Sequence, residues 1–366
     1  MKILQICSAS ELGGGEVHVA DLVRTLASRG HAVYLVVRPD SPLRAPLAGV
    51  IASWHELPLK NSLDVYSSRA IAELIEKHGI NIVHAHVGRD YLVAALACRR
   101  APNCKLILTR HHYLPLKKNP VYKWLLGSAS AFIAVSNAVR DSLIERLALA
   151  PDRVPVIPNW IDPSRFQPID RDKARAMFQI KANLSVACIG QITPEKGQEE
   201  FIRAAGQICR MRSDVEFLIA GEENSESQSF TRRLQVIAET MGIADRVRFM
   251  GFVQYVPELL AAVDVVVVPS WDEGFSLVTI EAMAARRAVL ASNVGGIKGI
   301  IQENVNGLLF PPHDANAMAE KMKFLLADPP LRDRLAGQAQ RDVYAKFSRD
   351  KVIDQIEALY VEALKS

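Results

Sequence analysis

The sequence predicts an α/β protein built from two doubly wound parallel sheets. Three observations point there. Apolar runs without polar alternation recur along the chain, and helical stretches separate them, as expected for parallel strands covered on both faces. The alternation breaks at a proline-rich stretch and then restarts. With 366 residues, the chain exceeds one ordinary core, so two domains follow.

In the first half, Lys2–Cys7, Ala32–Val37, Ile80–His84, Lys105–Thr109 and Phe132–Ser136 read as strands. Val17–Ser28, Ser67–His78, Tyr91–Arg100 and Asn137–Leu147 read as helices between them. The N-terminal stretch lacks the long apolar segment and cleavage site of a signal peptide, so it reads as the first strand. Residues 151–170 hold five prolines, which break periodic structure and mark a linker. Ser185–Gly190, Val215–Gly221, Arg246–Met250, Val263–Val268 and Ala288–Ser292 are the strands of the second half. Its helices are Glu199–Met211, Ser229–Met241 and Val256–Ala262, then a helical run from Ala315 to Ala363 whose last member begins at Phe347-Ser348. Two such sheets imply two lobes with a cleft, and ligands at the carboxyl ends of the strands.

Hydrophobic residues at 49% and charged residues at 23% are ordinary for a globular protein, and no apolar stretch is long enough to span a bilayer. The five cysteines are an odd number at scattered spacings, which reads as reduced thiols in a cytoplasmic protein. Net charge is +4, but residues 1–165 carry +7 and the remainder −3. Residues 99–140 hold eight basic side chains and no acid, with Tyr113, Tyr122 and Trp124 among them. Such a stretch suits an anionic membrane surface, or is a solvated face with Trp124 in the core. No nucleic-acid recognition motif accompanies it, so nucleic acid is set aside.

The densest chemistry follows the run Val265–Val268, which turns at Pro269-Ser270 into Trp271-Asp272-Glu273-Gly274-Phe275-Ser276. Leu277 to Arg286 has helical spacing, and Ser276 is the expected N-cap. Glu273 then lies in the loop and Glu281 inside the helix. Unpaired N–H groups at Phe275, Ser276 and Leu277 would form an anion site. Two acids around an anion site suit a ligand with phosphates and hydroxyls. The bland alternative makes both acids solvated surface groups.

Gly13-Gly14-Gly15 lies between the first strand and the first helix, where backbone without side chains lets a phosphate approach. It is not a dinucleotide fingerprint. Gly190 to Gly197 occupies the equivalent point of the second half, and Lys196 there could place a positive charge on a diphosphate. His111 and His112 follow one strand and His84 and His86 another, either as cleft or core histidines; their spacing fits no familiar zinc pattern. Asp170 and Asp172 precede a helix, where Asp170 reads as a cap and not as a metal ligand.

Six motifs in order resemble the retaining GT-B glycosyltransferases of glycosyltransferase family 4. They are Gly-Gly-x-Glu (Gly13 to Glu16), Thr-x-His (Thr109 to His111), Ile-Pro-Asn-x-x-Asp (Ile157 to Asp162), Gly-x-x-x-x-Glu-Lys-Gly (Gly190 to Gly197), Gly-Phe-Val (Gly251 to Val253) and the acids Glu273 and Glu281. The resemblance implies two Rossmann-like domains facing a cleft: an acceptor-binding domain over 1–165, a nucleotide-sugar-binding domain over 166–346, and a helix over 347–366 crossing back. It implies that Gly14 and Gly15 approach the donor diphosphate and that Gln191, Lys196 and the tip Gly274, Phe275, Ser276 and Leu277 hold it. Glu281 would take the ribose hydroxyls, Val253 the base, Glu273 the transferred sugar, and His111 would line the sugar pocket.

The resemblance further implies a sugar transfer from a nucleoside diphosphate sugar, UDP before GDP, to a hydroxyl acceptor, with no metal and no cofactor; the basic stretch 99–140 alone points to a bacterial envelope or lipid-linked glycan as that acceptor. The scattered cysteines place the chain in the cytoplasm, and the basic stretch 99–140 places it peripherally on the cytoplasmic face of the inner membrane. The alternatives are an inactive nucleotide-sugar-binding partner subunit and a nucleotide-sugar epimerase on the same fold. The chain departs from the family pattern at Gln191, where arginine is common, at Lys298, where an acid is usual, and at Glu222-Glu223, where a second glycine is common.

Overall fold

The computed structural model describes residues 1–10, 13–112, 120–225 and 227–365, apart from the side chains of Val121 and Tyr122. Tyr113, Lys117, Lys118 and the side chain of Tyr122, part of the expected membrane-facing stretch, lie outside the described residues. The chain divides into two compact units, Met1–Asn159 with Asp350–Ser366, and Trp160–Arg349.

Among the described residues, each unit carries one six-stranded parallel sheet. The first unit has β1 (Lys2–Cys7), β2 (Ala32–Val37), β3 (Ser53–Glu56), β4 (Ile82–Ala85), β5 (Lys105–Arg110) and β6 (Ala131–Ala134), in the order β3-β2-β1-β4-β5-β6. The second has β7 (Leu184–Ile189), β8 (Val215–Ala220), β9 (Val247–Gly251), β10 (Val265–Val268), β11 (Ala288–Ser292) and β12 (Leu308–Phe310), in the order β12-β11-β10-β7-β8-β9. Counted from each unit's first strand, both sheets run 3-2-1-4-5-6. The order reverses between β1 and β4 and between β7 and β10. Loops leave the sheet in opposite directions at those points, and the crevice between them is where doubly wound folds bind ligands.

The central strands are apolar throughout because helices cover both faces. All four valines of β10 are buried. Helix Gln198–Cys209 lays Phe201, Ile202, Ala205 and Ile208 on the sheet, one stripe at helical spacing. Phe201 meets Phe217 of β8 edge-on, with ring centroids 5.9 Å apart.

Some expected boundaries move. The strands expected at 80–84 and 263–268 begin two residues later, at Ile82 and Val265. The first helix begins at Gly14, not Val17. Gly14 and Gly15 therefore form its first turn and are not part of a loop; Gly13 is the cap residue, and its N–H donates to Glu16 Oε2 at 2.9 Å. Phe347 ends helix Pro329–Phe347 and does not open the last one, Arg349–Lys365. The last helix is anchored within the first unit. Arg29 donates to Asp354 and Glu357, both at 2.6 Å, and His31 pairs with Glu357 at 2.7 Å. No helix among the described residues is long and apolar enough to cross a membrane.

Candidate active site

In the second unit, the loops after β7 and β10 meet at the reversal point. Gly197 has φ of 71°, and a Cβ there would sit 2.2 Å from the carbonyl oxygen of Pro269. Only glycine allows that approach. Trp271 N–H donates to the carbonyl of Glu195 at 2.8 Å, tying the loops together. As a result Lys196 Nζ lies 2.5 Å from Glu273 Oε1. Ser270 Oγ donates to the same oxygen at 2.9 Å. The Glu273 side chain is 13% exposed and that of Lys196 35%, so water screens the pair only partly. Glu273 Oε2 has no hydrogen bond among the described residues. The expected diphosphate cation and the expected sugar acid are thus partners of each other.

A second pair of glycines seats this loop. Gly296 N–H donates to the Glu273 carbonyl at 2.8 Å. Cβ atoms at Gly295 and Gly296 would lie 2.1 and 2.2 Å from the carbonyl oxygens of Glu273 and Gly274. Sequence reasoning singled out neither these glycines as supports nor Ser270 as a partner; the turn signal at 269–270 was the available clue.

Phe275 is buried and meets Phe347 edge-on at 5.5 Å. Ser276 occupies the N-cap position of helix Leu277–Ala284 at φ of 84°, uncommon for a residue with a Cβ. Its hydroxyl bonds Thr279 Oγ1 at 2.8 Å and caps no backbone N–H, which corrects the expected cap. The N–H groups of Phe275, Ser276 and Leu277 have no acceptor among the described residues. Glu281, one turn further on, is half-buried, and its carboxylate has no partner among them. Burial pushes its pKa up to about 7, against the opposing charge of Arg165. Gln191 is exposed after β7, and Val253 is half-buried after β9.

His111 belongs to the first unit and follows β5. It is half-buried, with both ring nitrogens out of water, in a group of four histidines. Its ring meets His18 edge-on at 5.3 Å and stacks on His86 at 5.9 Å, and His86 lies 4.1 Å from His84. Both His84 nitrogens are engaged, by Tyr360 OH and Thr109 Oγ1 at 2.6 Å each. His86 Nε2 contacts Gln5 Oε1 at 2.7 Å. Neither His111 nitrogen makes a well-formed hydrogen bond among the described residues, and the Asn159 side chain is its polar neighbour. Burial holds all four imidazoles neutral: His84 and His111 are pushed down to about 3, His18 and His86 well below their ordinary range. The rings stack where zinc ligands would converge, and no three His, Cys, Asp or Glu side chains among the described residues form a metal cluster. Asp170 Oδ1 accepts from the N–H groups of Asp172 and Lys173, as a helix cap does.

One surface feature bears on the basic stretch. Trp124 is 63% exposed, which removes the reading that puts it in the core. The Arg99 guanidinium lies 3.7 Å from its ring centroid.

The family model described as Glycosyltransferase Family 4 matches residues 12–165, and that described as Glycosyl transferases group 1 matches 170–342. D-inositol 3-phosphate glycosyltransferase 1 of Catenulispora acidiphila is 30% identical over 390 residues, covering 97% of this chain and 92% of that protein. The chain belongs to glycosyltransferase family 4. Family 4 enzymes are retaining glycosyltransferases. A glycosyltransferase from Rickettsia africae has the same fold, with TM-score 0.91 and 22% identity over 100% of this chain and 99% of that one. Anabaena HepE, solved in complex with UDP-glucose, superposes with TM-score 0.86 and 23% identity over 99% of this chain and 100% of its own. The family 4 fold is GT-B, and the two six-stranded sheets are its Rossmann-like halves.

Proposed function

We propose that this family 4 member moves a hexose from a nucleoside diphosphate sugar to a hydroxyl acceptor, with retention. UDP-sugars are the first donors to test and GDP-sugars the second. The contact between Lys196 and Glu273 at the reversal point of the second sheet carries this reading. A leaving diphosphate gains negative charge in the transition state. The unengaged N–H groups of 275–277 are fixed donors that can stabilise it without reorganising, and Lys196 adds a positive charge beside them. As Lys196 turns to the phosphates, Glu273 keeps Ser270 and is left to accept from the sugar hydroxyls and to stabilise positive charge at the anomeric carbon. Glu281 takes the ribose hydroxyls, Gln191 the phosphates and Val253 the base. Residues 166–346 hold the donor. Residues 1–165 bind the acceptor, with Gly14 and Gly15 approaching the donor diphosphate and His111 lining the sugar pocket, and 347–366 cross back. UDP-glucose in the Anabaena protein supports uridine as the first choice.

The acceptor we propose is an envelope or lipid-linked glycan at the cytoplasmic face of the inner membrane. Exposed Trp124 with Arg99 and Lys123 supports it, since an amphipathic ring beside cations suits a lipid–water boundary. The name of the Catenulispora relative adds phosphorylated polyols as acceptors to assay.

A thermal-shift panel of nucleoside diphosphate sugars tests the donor reading, because a ligand bound to the folded state raises apparent stability. Turnover assays then separate the alternatives. Donor binding without hydrolysis or transfer would indicate an inactive partner subunit. Conversion of the donor sugar without an acceptor would indicate an epimerase.

A further inference from the structure

Resting on the nucleoside diphosphate reading, we infer that Glu222 is the residue by which this chain selects its nucleobase. The carboxyl ends of β7, β8 and β9 are stitched together there. Gly190 N–H donates to the Ala220 carbonyl at 2.9 Å, Ile192 N–H to the Glu222 carbonyl at 2.8 Å, and Gly221 N–H to the Gly251 carbonyl at 2.8 Å. A Cβ at Gly221 would lie 1.9 Å from the Gly190 carbonyl oxygen, so the first two loops touch. Glu222 therefore stands between the loop that holds Gln191 and Lys196 and the loop that holds Val253.

Its side chain is exposed, and one backbone hydrogen bond anchors its carboxylate. Glu222 Oε1 accepts from Phe252 N–H at 3.2 Å and lies 3.6 Å from where a Gly251 Cβ would stand. Oε2 has no partner among the described residues. The same loop exposes two aromatic rings, Phe252 at 66% and Tyr255 at 49%. Large rings left in water beside a fixed acceptor are a stacking surface with a hydrogen-bonding edge.

A carboxylate only accepts. Uracil presents N3–H and guanine N1–H on the pairing edge, so either base donates to Oε2. Cytosine and adenine carry an unprotonated ring nitrogen at the corresponding position, and its lone pair would face the carboxylate. Their exocyclic amines can still donate to one carboxylate oxygen, so cytidine and adenosine diphosphates bind less tightly than uridine or guanosine diphosphates, which present a ring N–H.

The test is calorimetric binding of UDP, GDP, CDP and ADP to the full chain and to Glu222→Gln. Wild type should hold UDP and GDP roughly ten- to a hundredfold more tightly than CDP and ADP, the range for one charge-assisted hydrogen bond. In Glu222→Gln the gap should collapse, because the carboxamide also donates and can meet a ring nitrogen. Equal affinity for all four in wild type would overturn the inference while leaving the donor reading standing. So would a uniform loss in the variant, the mark of a ribose or structural role. Binding of none of the four would overturn the donor reading itself. The Glu222 side chain is exposed, so Glu222→Gln should fold, and its melting temperature checks this.

Discussion

The two sheets share one strand order, yet their carboxyl edges are chemically opposite. The first is lined by neutral imidazoles, amides and hydroxyls bonded to one another. Gln5, His84, His86, Thr109 and Tyr360 form one buried set. The second carries an ion pair, close glycine contacts and N–H groups left without acceptors. Identical scaffolds thus hold different chemistry, because function sits in loops and not in the order of strands. A neutral hydrogen-bonded network contributes stability. A part-exposed ion pair contributes little stability but puts charge where a reaction needs it. Substitutions at the ion pair of the second edge should therefore strike turnover, and those within the bonded set of the first should strike folding.

The largest effect is expected at Lys196. Lys196→Ala should lower kcat by about a hundred- to a thousandfold, as loss of one fixed donor to a developing anion does elsewhere. The melting temperature should move little. Near-wild-type turnover would take Lys196 out of the phosphate role, and a large loss of stability would erase the contrast between the edges. Gly296→Ala comes next and should show in both readouts. A Cβ there must displace the Gly274 carbonyl, so stability should fall by about 1–3 kcal/mol and turnover should fall with the displaced Glu273 loop. Urea melts and steady-state rates measure the two.

Tyr360→Phe tests the first edge. It leaves His84 Nδ1 without its partner in a buried site, for a loss of about 1–3 kcal/mol in urea unfolding. Donor affinity should not change. Weaker donor binding with intact stability would mean that the neutral network is part of the donor site.

Glu281 gives a smaller, pH-dependent effect. Its pKa is raised from 4.5 to about 7 by burial. The unfolded chain thus ionises this carboxyl first, and stability falls as pH climbs from about 4.5 to 7. Glu281→Gln should therefore melt higher than wild type at pH 8 and no higher at pH 4. Donor affinity should run the other way in wild type, rising through pH 7 as the carboxylate becomes a full acceptor for ribose hydroxyls. A flat affinity profile between pH 6 and 8 would take Glu281 off the ribose.

The comparison also explains what was legible in the sequence. The central strands announced themselves because both faces are buried, as in Val265–Val268. The two strands that sequence reading missed, Ser53–Glu56 and Leu308–Phe310, are edge strands of their sheets. They are short, and the first is polar, so neither gives an apolar run. The first helix was started late because Gly14 and Gly15 have poor helix propensity, which the Gly13 to Glu16 bond offsets. Glu273 and Lys196 were each singled out on local pattern. Their pairing was not legible, since it joins positions 77 residues apart through the adjacency of β7 and β10. The bond between His84 and Tyr360 hides for the same reason, across 276 residues.

The smallest expected effect concerns the basic face of the first unit. Each cation near an anionic lipid surface contributes about 1 kcal/mol, so Lys123→Gln should weaken liposome binding roughly fivefold. Trp124→Ala should weaken it further by removing the ring that Arg99 covers. Salt should weaken wild-type flotation on vesicles containing phosphatidylglycerol and barely affect the residual binding of the double variant. Both substitutions lie on exposed side chains, so neither the melting temperature nor transfer to a water-soluble acceptor should change. Flotation that ignores both salt and Lys123 would make this face an ordinary solvated surface, and the acceptor would then have to be sought among soluble hydroxyl compounds.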